Sequence, residues 1–246
     1  MKVLQLLCTA LVAGAALSKP QGTSNALTIF TRVFSLPNSM GDYLDIYQYI
    51  PDLFNTGMDN DIESVHQTGM WIYYENTNYN VESGGQVYFV HGVDLSVNFP
   101  NQYCNLVTSM RYAGNKDIPN GDTWTLYEGE FFTGLEYYGE GDAASLDYLD
   151  VKASSMVLTG ESAWTIYSGQ SYSGDSLCVY PNTDHDIGPL GDRLDFGIYS
   201  TMSAVGVPDN TVRSVKKGCW SKKVASPPEV KYDYKSKQGA WGSARV

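Results

Sequence analysis

Residues Trp124–Gly134 read WTLYEGEFFTG, and residues Trp164–Gly174 read WTIYSGQSYSG. Both carry Trp-Thr-[Leu/Ile]-Tyr, an aromatic five residues after the Tyr, and a Gly two residues later. Two weaker copies lie upstream. One keeps Phe34 and Gly41 with Ser39 as the second aromatic's replacement, and the other keeps Trp71, Tyr74 and Tyr79 with Val81 in place of the Gly. Aligned on Phe34, Tyr74, Tyr127 and Tyr167, the copies are spaced by 40, 53 and 40 residues. Four units therefore form two pairs, and the extra length between pairs falls on the linker Asn115–Gly121, NKDIPNG.

The pattern has a mechanical reading. A Gly after the second aromatic admits a positive φ, so the hairpin folds back over its sheet while the two aromatics pack beneath it. Each unit then closes on a late serine, Ser64, Ser109, Ser155 or Ser214. A hydroxyl there is placed to tie down the folded hairpin's backbone. From Leu27 onward, short runs rich in Val, Ile, Tyr, Phe and Thr alternate with Gly, Asn, Asp and Pro clusters, and no window holds a helical stripe for three turns. The chain reads as all-β.

Residues 1–18 hold a lone Lys2, an apolar run and the small-residue ending Ala16-Leu17-Ser18, the layout of a cleaved secretory signal. No later run reaches the roughly 20 apolar residues of a membrane span. The mature chain is expected to be soluble and extracellular. Lys19–Asn25 reads as a mobile polar leader. Beyond the signal three cysteines remain. Cys178 with Cys219 is the preferred pair, with three reduced thiols or pairing between chains through Cys104 as the alternatives.

Charge is uneven along the chain. Residues 19–210 hold 25 Asp and Glu against 6 Lys and Arg, whereas residues 211–246 hold 9 basic and 2 acidic residues. An acidic body argues against nucleic acid as a partner and suits cation binding.

The Tyr-x4-aromatic-x-Gly hairpins, the late serines and the two-by-two arrangement resemble the βγ-crystallin superfamily over about residues 27–217. The resemblance implies two Greek-key sandwich domains, at 27–114 and 122–217, joined by 115–121 and followed by a basic, aromatic-containing tail at 218–246. It also implies calcium sites where the segment before the late serine reads [Asp/Asn]-[Asp/Asn]-x-x-[Ser/Thr]-Ser. There the second residue gives a side-chain oxygen, the third a carbonyl, and the fifth residue of the partner unit a hydroxyl. The four segments here are DNDIES from Asp59, CNLVTS from Cys104, DVKASS from Asp150 and DNTVRS from Asp209. Asn60 and Asp61 with Thr108, and Asn210 and Thr211 with Ser154, make two complete sets. Asn105 with Glu63 makes a doubtful third, and Val151 with Arg213 makes none. The competing reading is that Asp and Asn stand there only because they favour turns.

The fourth unit carries an insertion, Pro181–Gly206, with Asp184, His185, Asp186, Asp192 and Asp195. It reads as a solvated loop in preference to a second metal site. His66 and His91 fall at or near strand ends, and no nucleophile elbow or zinc-protease motif exists, so no enzyme is expected. The tail interleaves Lys with Trp220, Tyr232, Tyr234 and Trp241. It reads as a disordered extension or as a cationic segment that docks on this protein's own body, another copy or an anionic surface. The expected role is a weakly calcium-binding structural or interaction module of an extracellular fluid or matrix. The second reading is a secreted defence or toxin-like effector.

Overall fold

The computed structural model describes residues 27–82, 84–181, 186–225 and 238–241. The expected signal, the leader, Asp184, His185, Tyr232 and Tyr234 lie outside the described residues. In the first half β1 spans Phe30–Leu36, β2 Met40–Ile46, β3 Ser64–Tyr74, β4 Val87–Asn98 and β5 Ser109–Ala113. In the second half β6 spans Thr123–Tyr127, β7 Glu136–Gly139, β8 Ser155–Thr159, β9 Trp164–Gly169 and β10 Ser173–Val179. These are followed by β11 Asp186–Ile187, β12 Arg193–Leu194, β13 Phe196–Tyr199, β14 Ser214–Lys217 and β15 Gln238–Trp241.

Each unit sends its third strand into the sheet of its partner unit. In the second half one sheet has the order β7-β6-β8-β13, and the other is β10-β9-β14 with a bridge from Ala143 to Val215. The first half repeats this with two strands that run through both sheets. Residues 64–68 of β3 pair with β1 and the far end of β4, whereas residues 70–74 pair with β5 and the near end of β4. The change of sheet comes at a register shift between Gln67 and Gly69. Gly69 has φ +98°, and a Cβ there would sit 3.0 Å from the Ile29 side chain, so only Gly lets the strand turn this corner.

The repeat pattern is written into the registers. Phe34 lies opposite Ser64, Tyr74 opposite Ser109, Tyr127 opposite Ser155 and Tyr167 opposite Ser214. Each serine hydroxyl donates to a carbonyl of its hairpin and accepts from an N–H in the same hairpin. For Ser155 these are Gly129 O at 2.6 Å and Phe132 N at 2.9 Å. The same pair of bonds recurs at Ser64, Ser109 and Ser214. The hairpins need this support because Ser39, Tyr79, Phe132 and Tyr172 all sit at φ near +60°. Tyr74–Tyr79, Tyr127–Phe132 and Tyr167–Tyr172 pack edge to face, with centroids 5.5 to 5.9 Å apart.

Each half has its own core, around Trp71 and Tyr73 in the first and around Trp124 and Trp164 in the second. A third cluster joins the halves. There Ile72, Tyr74 and Phe89 meet Tyr127, Phe132 and Ile198. Buried in that junction, Arg111 donates through Nη2 to Phe132 O at 2.7 Å and through Nε to the Tyr74 hydroxyl at 2.9 Å. Its guanidinium also lies 3.4 Å from Glu136 and faces the rings of Tyr79 and Tyr127 at 4.5 and 4.7 Å. Burial alone would lower its pKa, but Tyr74, Glu136 and Tyr127 outweigh that and keep the charge.

Two expectations change. The insertion at 181–206 is not simply a solvated loop, because β11 and β12 pair and Asp186 and Asp195 are buried. Asp186 meets His91 Nδ1 at 2.5 Å, and Asp195 holds Arg193. His66, the third residue of β3, lies near a strand end as expected, whereas His91 lies inside β4, buried just before the bend at Gly92. A strand-period reading cannot see a strand that changes sheet midway, so it ends the strand at the histidine. Cys178 and Cys219 form a disulfide, and Cys104 is free. Gln238–Trp241 adds an antiparallel strand to the edge of β4, so this part of the tail lies on the protein's own first half.

Candidate metal sites

The four Asx-bearing segments adopt one backbone form. Asn60, Asn105, Val151 and Asn210, the second residue of each, have φ between +52° and +58°. Asn tolerates this left-handed conformation, whereas Val does not. The N–H of each second residue donates to the fourth residue of its partner segment. The bonds are Asn60 to Val107 at 3.0 Å, Asn105 to Ile62 at 3.0 Å, Val151 to Val212 at 3.3 Å and Asn210 to Ala153 at 3.2 Å. Each second residue is thereby held against the backbone of its partner segment, next to that segment's fifth residue.

What differs is the side chains. Ser154 Oγ donates to Asn210 Oδ1 at 3.4 Å beside Thr211, and the pair opens onto a cleft between the halves that also holds Glu128 and Glu130. Exposed Asn60 and Asp61 lie beside Thr108, and the neighbouring Asp59 has a buried Oδ1 with no hydrogen-bond partner among the described residues. An orphaned carboxylate oxygen at that point suits a hard cation, which takes oxygen ligands of mixed type. In the third set the Asn105 amide donates to Glu63 Oε1 at 2.9 Å, so the two side chains satisfy each other. In the fourth, Arg213 forms a two-point ion pair with Asp150, which holds that carboxyl below the usual carboxylate range.

Among the described residues no group of three or more His, Cys, Asp or Glu side chains is placed to hold a metal. The two complete sets draw instead on amide, hydroxyl and carbonyl oxygens, as hard-cation sites can. Sequence reading missed Arg111, since a cationic residue inside a strand gives no sign of being buried at a domain junction.

Paired Greek-key units that exchange their third strands, each hairpin fastened by a serine, define a class of two-domain β sandwiches. Within that class the chain has the βγ-crystallin fold. It superposes on Geodin, a βγ-crystallin from Geodia cydonium, with a TM-score of 0.56 at 22% identity, covering 77% of this chain and 99% of that one. A βγ-crystallin from an archaeon, at 22% identity, covers 40% of this chain and 99% of its own with a TM-score of 0.31. Protein S complexed with calcium, at 17% identity, covers 77% and 99% with a TM-score of 0.29. No family model and no curated protein matches the chain. Among the described residues no helix is long and apolar enough to cross a membrane.

Proposed function

We propose that this chain is a secreted, non-catalytic structural or interaction module of an extracellular fluid or matrix. It consists of domains at 27–114 and 122–217 and is stabilised by weakly bound calcium. The observation that carries the metal reading is the convergence of Asn210 Oδ1 and Ser154 Oγ, from two different units, to 3.4 Å. Asn210, Thr211 and Ser154 would hold one ion, and Asn60, Asp61 and Thr108 a second. The acidic body of the chain supports the same reading.

With dissociation constants of about 10⁻⁴ to 10⁻³ M and about 1 mM calcium, each ion adds roughly 0.4 to 1.4 kcal/mol of stability. Calcium here is a stabiliser and not a switch. Calorimetric titration of the mature protein, paired with melting curves, tests the reading: the expected result is two weak sites and a raised Tm. The absence of both heat and a Tm shift would sink the metal assignment.

A further inference from the structure

The junction between the two domains has a second copy of its docking face on the same chain. Superposing the repeat puts Trp71 on Trp164, and hence Ile72 on Thr165 and Tyr79 on Tyr172. The strand registers then put Phe89, the partner of Ile72, on Cys178, the partner of Thr165. They likewise put Arg111 on Lys216. In the first domain the row Ile72, Phe89 and Arg111 is buried against the second domain. In the second domain the corresponding row is covered by residues 218–225.

That cover reproduces the domain contact in miniature. Thr165 Oγ1 donates to Gly218 O at 2.6 Å and accepts from Trp220 N at 2.9 Å. Lys216 Nζ lies 4.6 Å from the Trp220 ring and 5.4 Å from Tyr172, as Arg111 lies 4.7 Å from Tyr127 and 4.5 Å from Tyr79. Trp220, 64% exposed, thus makes with Lys216 the ring-over-cation contact that buried Tyr127 makes with Arg111 at the junction. Cys178, which replaces the junction's Phe89, is the point where the disulfide to Cys219 fastens the cover.

The complementary face is also present twice. The second domain docks with Tyr127 and Glu136, register partners whose counterparts in the first domain are Phe34 and Tyr43. That counterpart face is open, with Tyr43 59% exposed and Tyr47 53% exposed. Its charges are already paired, Arg32 with Asp45 and His66 with Asp94, and the Arg32 guanidinium lies over the Tyr43 ring, 4.5 Å from its centroid.

We propose that residues 218–225 are a disulfide-latched cap over a second docking face, and that the unlatched face takes the Phe34–Tyr43 face of a second copy, head to tail. The latch opens by thiol–disulfide exchange with a dithiol. The dithiol gives up two electrons and two protons and becomes a disulfide, while the Cys178–Cys219 bond becomes two thiols. A contact between two different faces does not close on itself, so it extends into open chains.

The test uses the full mature chain and compares oxidised wild type with Cys219→Ser, the latter kept under dithiol so that Cys104 cannot link chains and freed of dithiol, without air, just before labelling. Cys178 is fully buried beneath the cap, so its reaction with a maleimide reports cap opening, and partly exposed Cys104 is the internal reference. In Cys219→Ser, Cys178 is expected to label within tenfold of the Cys104 rate while the melting transition persists. Sedimentation velocity is expected to show a mass that grows past the dimer with concentration, against a constant mass for oxidised wild type. Adding Tyr43→Lys, which sets a cation against Lys216 from an exposed position, is expected to abolish that growth. Cys178 unreactive in folded Cys219→Ser overturns the latch. An open cap without assembly, assembly that stops at the dimer, or assembly indifferent to Tyr43→Lys overturns the head-to-tail contact.

Discussion

The Arg213 guanidinium lies across the Asp150 carboxylate, Nε to Oδ1 at 2.9 Å and Nη2 to Oδ2 at 2.6 Å. A fixed organic cation thus holds the acidic residue of the fourth candidate set, while Val151 supplies no side-chain oxygen. Restoring both ligands tests whether those two residues disable the site. Val151→Asn with Arg213→Thr is expected to raise the calcium stoichiometry by one in a calorimetric titration, and Arg213→Thr alone to leave it unchanged. An unchanged stoichiometry in the double variant would count against the side-chain account.

Asn60 and Asn210 sit in the left-handed region, so an alanine there removes a ligand and also adds backbone strain of about 1 kcal/mol. Glycine separates the two effects. Asn210→Gly is expected to abolish calcium's effect at that site with little change in the calcium-free Tm, whereas Asn210→Ala lowers both. By the same reasoning Val151→Gly, at an exposed position, is expected to stabilise the protein by about 1 kcal/mol in denaturant unfolding.

Ser155 is fully buried and makes both of its hairpin bonds. Ser155→Ala leaves Gly129 O and Phe132 N without those partners and is expected to cost roughly 2–3 kcal/mol in urea unfolding. A loss below about half a kcal/mol would show that the hairpin holds its positive-φ residues without the serine.

Arg111→Met keeps the volume and removes the charge at the junction, leaving Glu136 and Phe132 O without the guanidinium. A loss of about 3–5 kcal/mol is expected. If the junction alone gives way, calorimetry will show one melting transition splitting into two.

Acid sensitivity follows from Asp122. Burial alone would raise its pKa, but bonds from Lys217 and Ser162 overcome that and hold it at about 2. A carboxyl lowered in the fold contributes stability that is complete above its unfolded value and is lost as pH falls through the folded one. Tm should therefore fall between about pH 4 and pH 2, and Asp122→Asn should flatten part of that fall. Asp150, also lowered, adds in the same direction.

Much of the fold could be read from the chain because the hairpin depends on local chemistry. Tyr127, Phe132, Gly134 and Ser155 lie within one unit, and their types state the turn, the packing and the fastening bond. The candidate metal segments were legible for the same reason, although the left-handed backbone shows that Asn serves the turn whether or not an ion binds. Long-range partnerships were not legible. Asp186 reaches His91 across 95 residues, and no local preference encodes that meeting.

The sequence by itself determined four serine-fastened hairpins in two pairs, through local rules of φ, aromatic packing and hydrogen bonding. Tertiary structure alone decided what each sheet's outer face meets. One row, Ile72, Phe89 and Arg111, became a domain junction, and its counterpart, Thr165, Cys178 and Lys216, lies beneath a latched cap. The physical reason is that a strand's pattern tells which side chains share a face, whereas the partner of that face is set by how whole sheets pack.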